Sequence, residues 1–182
     1  MRGFITRRVP QFDRVLLVES GSRRLLENLL PHLYSKNPEM RADIVTCYGG
    51  APAALQAGRG SVYDVNDYIG ADARRRLVAG LSANKYDVVG IVCSAEPILA
   101  KWKWVIAARV PAKIFVLNEN GDYFWLDRGH WSNIRHFVAY RAGLTGAGAV
   151  RTLARILLFP FTLLYLLLYA ATIHLRRVLR TI

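Results

Sequence analysis

Two carboxylates and a short run of small polar residues carry the chemistry this chain offers. Glu19 and Glu96 each stand just past an apolar run of strand type, 14–18 and 86–93. A carboxylate there can reach a ligand at the strand ends and take a proton from it. Ser20-Gly21-Ser22-Arg23 comes directly after Glu19 and opens a helical pattern. Free backbone N–H groups, the helix dipole and the Arg23 and Arg24 charges make that loop a candidate phosphate site. A serine at this place also suits plain helix capping. Ser94 closes the fourth strand run, and Asn118 and Asn120 belong to Asn118-Glu119-Asn120-Gly121-Asp122. Amides and carboxylates of that kind hold sugar or ribose hydroxyls, and the same residues are ordinary turn formers. Glu96 precedes Pro97, so capping a following helix is the structural alternative to catalysis.

Several chemistries lack their residues. No GxGxxG follows the first strand run and no Walker pattern occurs. His32, His130, His136 and His174 are scattered without metal-ligand spacing, so no metal and no cofactor are expected. Cys47 and Cys93 fall inside apolar runs, as buried thiols of a reducing compartment do. The 25 Lys and Arg against 13 Asp and Glu give a formal charge of +12, which favours an anionic partner: lipid headgroups, nucleotide phosphates or RNA. Lys101-Trp102-Lys103-Trp104 and the stretch 125–131 interleave basic and aromatic residues, as RNA platforms and membrane-interface surfaces both do. The apolar run described below favours the membrane and neighbouring protein subunits, and nucleic acid is set aside.

Positioning these residues requires alternating strands and helices. Strand-type runs at 14–18, 42–48, 61–65, 86–93 and 112–117 alternate with helical patterns beginning at 23, at 71–81 and at 97–109. This order indicates an α/β fold: a Rossmann-like, mainly parallel sheet with helices on both faces, its loops collected on one strand-end edge. The expected organisation is a basic tail 1–12, an α/β domain 13–140, a Gly/Ala-rich basic linker 141–155, a membrane helix 156–175 and a basic tail 176–182.

The run 156–173, ILLFPFTLLYLLLYAATI, is without charge and as a helix measures roughly 27 Å, close to the thickness of a bilayer core. Arg151 and Arg155 precede it, and His174, Arg176, Arg177 and Arg180 follow, placed to reach headgroups at either end. Pro160 allows a second geometry, a helix that dips and returns. The N-terminal stretch has the charge of a signal peptide without its apolar segment. The expectation is an inner-membrane protein with one C-terminal anchor, a cytoplasmic α/β domain and membrane lipids as partners.

The run RVLLVESGSRRLLENLLPHL, with the strand and helix order over residues 13 to about 120, resembles the N-terminal half of the heptosyltransferase-like glycosyltransferases. The resemblance implies a Rossmann-like half-domain of acceptor type, with a nucleotide-sugar or sugar phosphate as ligand. The family's loop after the first strand carries Gly and a candidate base Asp; here that loop reads Glu19-Ser20-Gly21-Ser22-Arg23. The family's donor-binding domain is expected to be missing, with a membrane helix in its place. The functional expectation is therefore a membrane-anchored glycosyltransferase-like protein of envelope sugar or lipid metabolism, incomplete as an enzyme on its own. The alternative is a non-catalytic accessory or docking subunit of a larger membrane complex.

Overall fold

The computed structural model describes residues 12–94, 96, 98–145 and 148–181, without the side chains of 148, 151 and 175–181. The basic stretch 1–11 and Pro97 lie outside the described residues. The chain forms two compact units, Met1–Trp131 and Ser132–Ile182.

The first unit is a sheet of six strands among the described residues: β1 (Arg14–Val18), β2 (Arg41–Thr46), β3 (Val62–Asp64), β4 (Val88–Cys93), β5 (Lys113–Asn118) and β6 (Tyr123–Trp125). Their order is β3-β2-β1-β4-β5-β6. The first five are parallel and β6 is antiparallel to β5. β4 is buried at every position and β1 at all but its first, because central parallel strands are covered on both faces. Strand order reverses between these two, which makes the β1/β4 edge the switch point where ligands of such folds bind.

Among the described residues three α-helices lie wholly in this unit: α1 (Arg23–Lys36), α2 (Ala71–Ala83) and α3 (Ala100–Arg109). Leu26, Leu30 and Tyr34 recur every fourth residue along α1 and are buried. They meet Val15, Leu17, Ile44, Val92 and Phe115 of one sheet face in the main core. The β1-to-β2 crossover and the crossovers entering and leaving β4 run in opposite directions across the sheet. Right-handed connections therefore put α1 on one face and α2 with α3 on the other. α1 continues past Pro31, whose ring lies on the exposed side. Asp43 is buried in β2 and satisfied: it accepts the Ser61 N–H at 2.7 Å and the Tyr86 hydroxyl at 2.6 Å. Burial, and then the bond to Asp43, push the Tyr86 hydroxyl well above its usual pKa.

Three local outcomes differ from the sequence reading. The third strand stops at Asp64 because its side chain accepts the Asn66 N–H and starts a 3-10 turn over Val65–Asp67. The helix expected at 97–109 begins at Ala100, behind Leu99 in a left-handed conformation (φ 49°), so Glu96 is not its cap. The segment after β5, read as a turn and an aromatic run, is a β-hairpin. Asn118 Oδ1 accepts the N–H groups of Asn120 and Asp122, and Gly121 takes the positive φ (85°) that the bend needs.

The second unit holds most of α4 (Trp131–Arg141) and all of α5 (Gly148–Thr181). α5 is one unbroken helix of 34 residues through Pro160, so the backbone does not reverse within the apolar run. It starts inside the stretch read as a linker and ends inside the stretch read as a tail, because Ala, Leu and Arg on both sides are good helix formers. Within Thr152–His174 an 18-residue window has a mean hydropathy of 2.2, and the stretch is exposed apart from the half-buried Thr152. At about 1.5 Å per residue these 23 residues measure roughly 35 Å. This helix is long and apolar enough to span a membrane.

Candidate functional site

The loop after β1 is sealed by its own side chains. Glu19 is 0% exposed. Its Oε1 accepts Arg23 Nε at 2.9 Å, and its Oε2 accepts Arg23 Nη2 at 3.2 Å and the Thr46 hydroxyl. Arg23 then donates to the carbonyls of Gly49 and Gly50 at 3.0 Å each and lies over the Tyr48 ring. The hydrogen bond that Arg23 donates to Glu19 holds its guanidinium above the ordinary pKa. This bidentate pair clamps the loop after β2 against the loop after β1. Its geometry makes Glu19 a structural counter-ion with both oxygens occupied, and engages Arg23 away from any phosphate at the helix start.

Ser20 and Gly21 serve the same closure. The Ser20 hydroxyl is fully buried and donates to the Val92 carbonyl, tying β1 to β4. The Gly21 carbonyl accepts the Tyr48 hydroxyl at 3.1 Å. A Cβ on Gly21 would lie 2.7 Å from Ser94 Oγ and 2.8 Å from Val92 Cγ1, so glycine is required by close approach. Gly21→Ala is expected to cost about 1–3 kcal/mol of stability through overpacking. Chemical denaturation of the full chain in mild detergent checks this, and an unchanged midpoint would mean that the loop is looser than described.

The opening lies beside this seal. A cavity of about 1040 Å³ runs between α1 and the β5–β6 hairpin. Ser22, Ser94, Glu96 and Asn120, from three different loops or turns, line its strand-end mouth together with Arg24 and Glu119. Ser22 sits at the N-cap of α1 without making a side-chain cap bond, and the first turn of that helix holds no acidic residue. Ser94 Oγ is buried and has no hydrogen-bond partner among the described residues. Of the two candidate bases, Glu96 is the exposed one and the one on the cavity. Asn118 does not line it; its side chain organises the hairpin turn instead. The mouth thus combines helix N–H groups and a guanidinium, which suit phosphate, with carboxylates and an amide, which suit hydroxyl groups.

A second polar cluster was missed in the sequence. Lys113, 4% exposed, pairs with Asp127, 1% exposed, at 3.1 Å, and Asp127 Oδ1 meets His130 Nδ1 at 2.8 Å. The Trp125 ring covers the ammonium at 5.2 Å. The available signal was alternation: Lys113 shares its face of β5 with the apolar Phe115 and Leu117, and an inward lysine demands a buried counter-ion. Cys93 is buried as expected, whereas Cys47 is only half-buried. Lys103 is buried and Trp104 half-exposed on α3. Among the described residues no cluster of His, Cys, Asp or Glu could hold a metal ion.

No protein-family model, no curated protein and no solved structure matches this chain.

Proposed function

We propose that this chain is a membrane-anchored, glycosyltransferase-like module that holds a sugar phosphate or nucleotide-sugar at the mouth of the α1/hairpin cavity. It would act in envelope sugar or lipid metabolism at the inner membrane, with its α/β unit on the cytoplasmic side. The observation that carries this reading is the convergence of Ser22, Ser94, Glu96 and Asn120 on one opening next to the switch point. In it, the start of α1 and Arg24 bind phosphate, Asn120 and Glu119 bind hydroxyl groups, and Glu96 is the general base. The locked state of Glu19 leaves that role to Glu96.

The test is binding to the full chain in lipid nanodiscs, titrated with a hexose phosphate and with a nucleotide-sugar. Ser94→Ala is expected to weaken binding by roughly tenfold, the worth of one hydrogen bond to a charged group. Glu96→Gln is expected to leave affinity nearly unchanged and to remove any sugar transfer. A second reading is favoured by the closed β1 loop: a docking subunit that uses the α/β unit as a scaffold. Absence of binding to either ligand, with partner chains co-purifying from the native membrane, would select it.

A further inference from the structure

Most of the cavity wall has no use in holding a small polar ligand. Beyond its mouth the cavity follows α1 down to Phe12 and Asn37, roughly 20 Å at the rise of an α-helix. Leu25, Leu29 and Leu33 line it as a second apolar stripe, beside the buried stripe of Leu26, Leu30 and Tyr34. Phe115 and Leu117 of β5 and Trp125 of β6 complete the trough. It exists because the right-handed crossovers on this side of β1 place α2 and α3 on the other face, and β5 turns straight back into β6.

The two ends of the trough differ in chemistry. The strand-end mouth is lined by the uncapped start of α1, Arg24, Ser94, whose hydroxyl has no hydrogen-bond partner among the described residues, Glu96 and Glu119. The far end is lined by Phe12 and Leu33 together with Lys36 and Asn37. We infer that the trough binds an amphiphile with one long acyl or prenyl chain, the chain lying along α1 and a phosphorylated head at the start of that helix. This rests on reading the cavity as the ligand site and names the class of ligand. Each methylene moved from water onto such walls strengthens binding about fourfold. A peptide is a poorer occupant, since its N–H and C=O groups would be buried against leucine and phenylalanine side chains without partners. The chain's own apolar helix, Thr152–His174, is suited to keep lipid at hand.

The probe is an alkyl phosphate carrying a diazirine near the end of its chain, photolysed with the full chain in lipid nanodiscs and mapped by peptide mass spectrometry. Adducts are expected on the α1 and β5 peptides as well as on Thr152–His174, and excess hexadecyl phosphate should remove the first set and spare the second. Leu29→Trp, which fills the trough, should cut the α1 and β5 adducts roughly tenfold or more, the worth of a few methylenes, with labelling of the apolar helix unchanged. Leu33→Trp serves if that variant fails to fold. Adducts confined to Thr152–His174, or α1 adducts that resist competition, overturn the inference. Hexose phosphate binding without trough adducts would remove the lipid chain and leave the sugar phosphate site standing, whereas trough adducts without hexose phosphate binding would keep the lipid and discard the sugar.

Discussion

Lys113→Met is expected to lower the unfolding free energy by about 3–5 kcal/mol, because it strands Asp127 Oδ2 in a site that water does not reach, His130 holding only Oδ1. The pair is almost fully enclosed, at 4% and 1% exposure, and sits under the Trp125 ring. The companion Lys113→Met/Asp127→Leu should recover most of the loss, since removing both charges also removes their desolvation cost. Urea-induced loss of the near-ultraviolet signal of the full chain in mild detergent measures both. A single-variant loss below about 1 kcal/mol, the range of a solvated pair, would show that Lys113 is hydrated in solution. The pH dependence has a definite sign. Burial by itself would raise the Asp127 pKa, but the hydrogen bonds from His130 and Lys113 outweigh it and hold the carboxyl below its ordinary 3.8. The native state therefore binds its proton less readily than the unfolded chain, and the stabilisation is complete above pH 3.8. It is lost as pH falls below 3.8 through the folded value. Asp127→Asn should accordingly differ from the parent at neutral pH, with the gap narrowing only in that acidic window.

The second large effect concerns the apolar helix. Leu164→Asp with Leu167→Asp should release the protein from membranes that retain the parent through an alkaline wash. An aspartate near the centre of a spanning helix costs about 2.5–3.5 kcal/mol, so two shift the partition by roughly three to five orders of magnitude. Both leucines are exposed, so a fold defect is not the expected cause of release. Equal retention of parent and variant would remove the membrane role. Orientation is tested with a cysteine at Thr181, Cys47 and Cys93 being replaced by alanine. Labelling by an impermeant thiol reagent in intact cells is the result expected for a helix that crosses. Reaction only after the membrane is broken would place the tail on the same side as the α/β unit. Arginines flank the helix at both ends, and positive charge alone therefore does not choose a direction.

The alternation of strands and helices was legible because each element announces itself locally. β4 is apolar at every position and β1 at all but the first, and α1 repeats leucine with helical spacing. The antiparallel return of β6 was not, since three residues carry too little pattern to separate a strand from a loop. The candidate site was half legible. Ser22, Ser94, Glu96 and Asn120 were chosen for their place after strands, and they do share an opening. Glu19, Ser20, Gly21 and Arg23 were chosen by the same rule, and they close on one another.

What the amino-acid order determined by itself is therefore β1 to β5, the helices between them, the mainly parallel sheet and the apolar C-terminal helix, which rest on pattern within a segment and on the order of the segments. Tertiary structure alone decided which polar groups face the cavity. Whether Glu19 is a base or a counter-ion depends on Thr46 and on Arg23 as it is bridged to the carbonyls of Gly49 and Gly50, residues up to 31 positions away from it along the chain. Whether Lys113 is solvated depends on Asp127 arriving through the hairpin. Such pairings are set by strand order and register. A residue's own neighbours in sequence carry no record of them, because the Coulomb and hydrogen-bond energies involved act over a few ångströms of space.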